Sequence, residues 1–174
     1  MNQKKYMFVS DIHGNVDILQ EIIRVFEREN ADKLVILGDT SASNSLDNEE
    51  IASMLNEIKS KIEIIRGNCD NLMLEERLDI PMYDTDNLYI GENVITITHG
   101  HHYNMYDLPP YCGNIFIQGH THVPLLKEER GMIIANPGSP TRPRGTDLRC
   151  YLMVSEKEIS LKTLDGKVVK TLAI

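Results

Sequence analysis

Short apolar runs rich in β-branched residues recur along the chain, and five of them stop at a polar cluster beside a glycine. Tyr6-Met7-Phe8-Val9 leads into Asp11-Ile12-His13-Gly14, and Leu34-Val35-Ile36-Leu37 into Gly38-Asp39. Ile62-Glu63-Ile64-Ile65 precedes Gly67-Asn68-Cys69-Asp70, and Val94-Ile95-Thr96-Ile97 precedes His99-Gly100-His101. Ile115-Phe116-Ile117 precedes Gly119-His120-Thr121-His122. Runs of this length, bounded by turn residues, read as buried strands. Between the first two, Ile18, Leu19, Ile22, Val25 and Phe26 fall at helical spacing behind Asn15, a candidate cap. A second helix is expected to open at Asp47, with Glu50 in a capping-box arrangement and Ile51, Met54, Leu55 and Ile58 on one face.

Strands alternating with helices in the first part of the chain predict parallel pairing. Farther on, Leu88-Tyr89-Ile90, the turn Gly91-Glu92-Asn93 and residues 94–98 read as a hairpin. Short strands are predicted at 132–135, 150–154, 159–163 and 168–172, with a turn at Asp165-Gly166. No repeat, low-complexity segment or linker interrupts them. The expectation is one α/β domain over residues 1–174, built as two stacked sheets with helices outside.

Open α/β sheets bind ligands beyond the carboxyl ends of their strands, so the five clusters can converge on one place. Five of the six histidines lie in them, which points to a metal centre. The candidate ligands are Asp11, His13, Asp39, Asn68, His99, His120 and His122. Carboxylate, amide oxygen and imidazole suit hard and borderline divalent ions. The set exceeds what one tetrahedral zinc needs but suits two metals sharing a bridge, with Asp39 the natural bridging carboxylate. Two divalent cations against two carboxylates leave a positive surplus that a hydroxide and a phosphodiester monoanion would cancel. Phosphate-ester hydrolysis therefore follows more naturally than redox chemistry.

The bulk composition narrows the partners. A net charge of -8 argues against generic nucleic-acid binding, which needs a basic face. The three cysteines, Cys69, Cys112 and Cys150, form no close pair, so neither a disulfide framework nor a thiolate zinc site is indicated. No apolar run approaches membrane-spanning length, and the apolar stretch before Ser10 is too short for a signal-peptide core. A cytoplasmic location is expected, and a homodimer or higher homo-oligomer is compatible with the sequence.

Taken in order, Asp11-x-His13, Gly38-Asp39, Gly67-Asn68-x-Asp70, His99 and Gly119-His120-x-His122 resemble the calcineurin-like metallophosphoesterases. The short chain, Gly67-Asn68-Cys69-Asp70 and Asn136-Pro137-Gly138-Ser139 resemble its small YfcE-like phosphodiesterase branch, over Met7 to about Ser139. The resemblance implies a four-layer fold, a two-sheet β-sandwich flanked by helices. It implies two divalent metal ions, most often manganese, with zinc, iron or nickel as alternatives. Asp11, His13, Asp39 and His122 would hold the first, and Asp39, Asn68, His99 and His120 the second. A small phosphodiester would be hydrolysed by a metal-bridging hydroxide; the alternatives are a phosphomonoesterase or a protein-interaction scaffold like the small subunit of the eukaryotic retromer.

Asp39, Asn68, His99, Cys69, Asp70 and His101 are the residues expected to serve catalysis. Many members of the wider superfamily have a histidine acid where Cys69 stands, whereas the small branch shares the cysteine. His101 is read as orienting His99, with contact to the substrate phosphate or a place in a turn as the alternatives. Asp70 is read as steering Cys69 or Arg66, or as capping the segment beginning Asn71. His102 is expected in a solvated loop, Cys112 and Cys150 as small buried hydrophobes, and Arg142 and Arg144 as exposed cations within reach of substrate.

Overall fold

The computed structural model describes residues 3–174. β1 (Lys5–Val9), α1 (Val16–Glu29), β2 (Lys33–Ile36) and α2 (Ser45–Glu57) are followed by β3 (Ile62–Ile65), α3 (Leu72–Glu75) and β4 (Met82–Tyr83). Then come β5 (Thr85–Ile90), β6 (Asn93–Thr98), β7 (Ile115–Ile117), β8 (Leu125–Glu129) and β9 (Met132–Asn136). β10 (Cys150–Ser155), β11 (Glu158–Thr163) and β12 (Val168–Ala173) complete the chain.

Two mixed sheets result: seven strands in the order β12-β11-β10-β1-β2-β3-β4, and five in the order β5-β6-β7-β9-β8. As the alternating pattern predicts, β1, β2, β3 and β4 pair in parallel. The C-terminal strands return to the same sheet, with β10 antiparallel to β1 and Phe8 opposite Leu152.

The two-residue side-chain period sorts each strand into two cores. Met7, Val9, Leu34, Ile36 and Ile64 pack under Leu19, Ile22, Phe26, Ile51 and Leu55 of the first two helices. Phe8, Val35, Leu37 and Ile65 face the other way, against Ile95, Ile97, Ile115 and Ile117 of the smaller sheet. Burial on both faces is why these strands read as near-continuous apolar runs. The smaller sheet is covered outside by irregular chain: Gly113 N–H donates to Thr96 Oγ1, and Met105 N–H to Gln118 Oε1, both at 2.8 Å.

One helix starts earlier than its sequence pattern predicts. Asn44, not Asp47, caps α2: its Oδ1 accepts from Asp47 N–H at 2.9 Å while its Nδ2 donates to Asp47 Oδ2 at 2.7 Å. Asp47 thus lies inside the first turn, where its carboxylate accepts from the side chain of the cap rather than capping the helix itself.

Candidate metal centre

The five polar clusters meet at one end of the sandwich, and their backbone is bent hard to do so. Asp11, His13, Asp39, His120 and His122 all have positive φ, between 51° and 68°. Non-glycine residues avoid this left-handed region, at a cost of about 1–3 kcal/mol each. Lateral hydrogen bonds hold the bends: Asp11 N–H to Gly38 O at 3.0 Å, His13 N–H to Asp39 O at 2.7 Å, and Gly14 N–H to Thr40 O at 3.1 Å. The turns also press so closely that Gly14, Gly38, Gly67 and Gly119 have no room for a side chain. A Cβ on Gly67 would lie 2.2 Å from Asp39 Oδ1, and one on Gly119 would lie 1.8 Å from Ser10 Oγ.

Asp70 ties two of these turns together. Its Oδ2 accepts from Asp39 N–H at 3.0 Å and Gly67 N–H at 2.7 Å. Its Oδ1 accepts from Thr40 N–H, Ser41 N–H and the Ser41 hydroxyl. This replaces the roles the sequence suggests for it. Arg66 pairs with Glu75 and Asp84 instead, and α3 is capped by Asn71, whose Oδ1 accepts from Leu74 N–H.

The side chains converge in overlapping groups. Asp11, His13 and His122 offer ligand atoms within 4.8 Å of one another, and so do Asp11, Asp39 and His99, and His13, Asp39 and Cys69. His13 Nε2 lies 3.1 Å from His122 Nε2, which lies 3.2 Å from Asp11 Oδ1. On the other side, His99 Nε2 is 3.4 Å from Asp39 Oδ1 and 3.1 Å from Asn68 Oδ1. Two backbone carbonyls set the imidazoles. His99 Nδ1–H donates to Leu37 O at 2.6 Å and His122 Nδ1–H to Arg142 O at 2.8 Å, so each presents a bare Nε2 to the centre.

These atoms fit a bound cation. Asp11 Oδ1 is buried without a hydrogen-bond partner, and a cation beside it would also lie within reach of the His13 and His122 Nε2 atoms, 3.1 Å apart. The protons titrate accordingly. Burial, opposed by Asp39 and Asp11, lowers the His13 pKa, whereas the Asp11 carboxylate 3.2 Å away raises that of His122. Burial works against the Asp39 carboxylate, yet His99 and the Cys69 N–H hold it well below the usual carboxylate range.

Comparison with known proteins agrees with this geometry. Residues 5–158 match the calcineurin-like phosphoesterase superfamily domain. The chain belongs to this superfamily. It is 31% identical to the phosphodiesterase YfcE of Escherichia coli K12 over 98% of each chain. Among solved structures, that of the Escherichia coli phosphoesterase YfcE superimposes with a TM-score of 0.88 at 30% identity, covering 98% of this chain and 99% of the other. At 19% identity, Vps29 of Entamoeba histolytica in complex with zinc shares the fold, with a TM-score of 0.65 over 98% of each chain.

Within this phosphoesterase, other expected residues stand differently. His120 is exposed and outside the tight groups; its ring meets His99 edge-on at 5.1 Å, while its backbone N–H holds Asp11 Oδ2 at 2.9 Å. His101 does not orient His99, whose Nδ1 is taken by Leu37 O. Its ring lies 5.3 Å from that of His99, stacks on exposed His102 at 4.0 Å, and has an Nδ1 with no partner. Cys69 is exposed; burial of its thiol, then the Asp39 hydrogen bond and charge, push its pKa up to about 11. Cys150 is buried as expected, but Cys112 only half so.

The 136–144 segment contributes more than a turn. Ser139 Oγ donates to Asp11 O at 2.7 Å, and Thr141 Oγ1 to Ile12 O at 2.8 Å. Asn136 Nδ2 holds Gly119 O at 2.8 Å, and Arg144 N–H donates to His122 O at 3.0 Å. Asn136-Pro137-Gly138-Ser139 signals a rigid turn in the sequence, yet nothing there marks its partners. Beside His13 opens a cleft of about 540 Å³, bounded by Asp17, Asp47, Glu50, Thr141 and Arg142.

Proposed function

We propose that this protein is a phosphodiesterase that uses two divalent metal ions, manganese first, carried by one cytoplasmic domain spanning residues 1–174. The observation that carries the reading is the sharing of Asp39 between two ligand groups beside the unpartnered Asp11 Oδ1. Asp11, His13, Asp39 and His122 would hold one ion, and Asp39, Asn68, His99 and His120 the other. When bound, such a pair supplies an acidified water and neutralises charge on the phosphate.

The chain's own groups do the positioning. The Leu37 and Arg142 carbonyls fix the tautomers of His99 and His122, so each neutral imidazole turns an Nε2 lone pair inward. Asp39 Oδ1 accepts from Cys69 N–H at 2.8 Å, which aims the carboxylate between the two groups. Arg142, at the mouth beside His13, suits an anionic phosphoryl group. A thiol with its pKa near 11 stays protonated at neutral pH but is a weak acid, so Cys69 gives a departing alkoxide little help. Support also comes from the YfcE relative, named a phosphodiesterase, and from the full set of ligand residues, which a pure scaffold would not need.

The test compares bis(p-nitrophenyl) phosphate with p-nitrophenyl phosphate in excess manganese after metal stripping. We expect the diester to turn over at least about tenfold faster and activity to track metal at two ions per chain. Equal or faster monoester turnover would overturn the diesterase assignment, and saturation at one ion per chain would overturn the paired centre.

A further inference from the structure

One of the three ligand groups has no part in the paired centre. A ring nitrogen of His13, a carboxylate oxygen of Asp39 and Cys69 Sγ lie within 4.8 Å of one another. The thiol is brought there by its own backbone, because Cys69 N–H donates to Asp39 Oδ1 at 2.8 Å. Oδ2 of the same carboxylate lies 3.8 Å from His13 Nε2. The orphaned Asp11 Oδ1, wholly buried, lies 3.9 Å from that same Nε2. The sequence holds no close pair of cysteines to mark a zinc site, but the fold gives this single thiol two partners from other turns.

Nitrogen, oxygen and sulfur from three side chains are the donors of a tetrahedral zinc site that keeps one position open. Metal–ligand bonds of about 2.0–2.3 Å set such donors about 3.4–3.6 Å apart. The separation of 3.8 Å between His13 and Asp39 is already close to that. Cys69 is exposed, so its side chain can turn to close the remainder. Thiolate favours zinc and other softer ions, whereas manganese, being hard, prefers the oxygen ligands.

We propose that Cys69 is a ligand for thiophilic divalent ions, and that zinc held by Cys69, His13 and Asp39 takes the place of the manganese pair. On binding, the S–H bond breaks, its electron pair stays on sulfur and is shared with the ion, and the proton passes to solvent. The paired centre needs both His13 and Asp39, so one zinc in this position excludes it. That rivalry rests on the two-metal phosphodiesterase reading, whereas the zinc site itself does not. Zinc would thus hold the enzyme off, and Cys69 would set the ratio of zinc to manganese at which this happens.

The experiment starts from metal-stripped protein with its thiols reduced. Cobalt(II), a coloured stand-in for zinc, should give a near-ultraviolet sulfur-to-metal band that Cys69→Ser lacks and Cys112→Ser keeps. In competition titrations Cys69→Ser should lose zinc affinity by at least about tenfold and manganese affinity by less than about twofold. The manganese titration also reports whether the variant keeps its fold. Zinc added to manganese-loaded protein should release free manganese, read by its electron paramagnetic resonance signal, at a lower zinc excess in the wild type than in Cys69→Ser. No sulfur-to-cobalt band in the wild type would overturn the inference. So would a band that survives in Cys69→Ser, equal losses of zinc and manganese affinity, or manganese release at the same zinc excess in both proteins. If bis(p-nitrophenyl) phosphate is not hydrolysed with manganese, the phosphodiesterase reading fails, while a Cys69-dependent cobalt band still establishes the thiolate site; hydrolysis of the diester without that band removes only the inference.

Discussion

Removing the Asp70 carboxylate should destabilise the protein and disable metal binding together. It accepts five hydrogen bonds, four from backbone N–H groups and one from the Ser41 hydroxyl. Asp39, Thr40, Ser41 and Gly67 are all buried, so water cannot freely replace those four backbone bonds in Asp70→Ala. An orphaned buried donor costs about 1–3 kcal/mol, and the half-exposed site lets water recover some of that. The expected loss is about 3–5 kcal/mol, a large part of a domain's whole stability. Asp70→Asn should fare nearly as badly despite its similar shape. Whichever way the amide is flipped, its NH₂ faces at least two donors that the lost oxygen accepted. Urea unfolding of the metal-free protein would give the stability, and calorimetric manganese titration the affinity. Asp39 and Asn68 sit on the turns that Asp70 joins, so affinity should fall with stability. An Asp70→Asn protein within about 0.5 kcal/mol of wild type would refute the clamp.

Further outcomes follow from neighbouring features. Asp39→Ala should abolish activity and cut manganese content from two ions per chain towards none, whereas His13→Ala should weaken one ion only; equal, mild losses would contradict the sharing of Asp39. Cys69→Ser should keep activity on an aryl diester within about threefold, and Cys69→His should raise turnover of esters with poor leaving groups. A large loss in Cys69→Ser with metal content intact would give the thiol a direct role. Burial raises the pKa of Glu63, with Lys33 opposing and Asp86 adding. The folded state thus binds that proton more tightly, so this stabilisation is present at low pH and lost as pH rises through the folded pKa. Urea midpoints should therefore shift in favour of Glu63→Gln between about pH 4.5 and 7.5; a constant difference would show that the proton affinity is unchanged on folding.

Much of the fold is legible because β1, β2, β3, β6 and β7 are buried on both faces, leaving largely apolar runs broken only by single polar residues such as Glu63 and Thr96. Each run ends where its chemistry begins, so the ligand residues could be read directly. β4 and β8 are edge strands, two and five residues long, and Met82-Tyr83 or Leu125 to Glu129 carries no comparable run. The start of α2 is read three residues late because Asp47-Glu50 has the spacing of a capping box, whereas Asn44 Oδ1 accepts the capping bond from Asp47 N–H. The duties of Asp70, Ser139 and Asn136 were hidden for a different reason. They are defined by partners on other turns, such as Ser139 and Asp11, 128 positions apart, and one sequence carries no trace of such pairings. His101 misled because closeness in sequence to His99 does not make a hydrogen bond.

The long reach of the 136–144 segment has a consequence for biosynthesis. Asp11 leaves the ribosome well before the Ser139 hydroxyl that braces its carbonyl, 128 positions later, and before the Arg142 carbonyl that sets His122. Closing loops of this span is slow relative to local folding. A nascent chain shorter than about 140 residues would therefore expose ligand residues without the braces that give them their geometry. Tight metal uptake becomes a signal that the 136–144 segment has been made and has docked on the earlier turns, and ions met before that would be held only loosely.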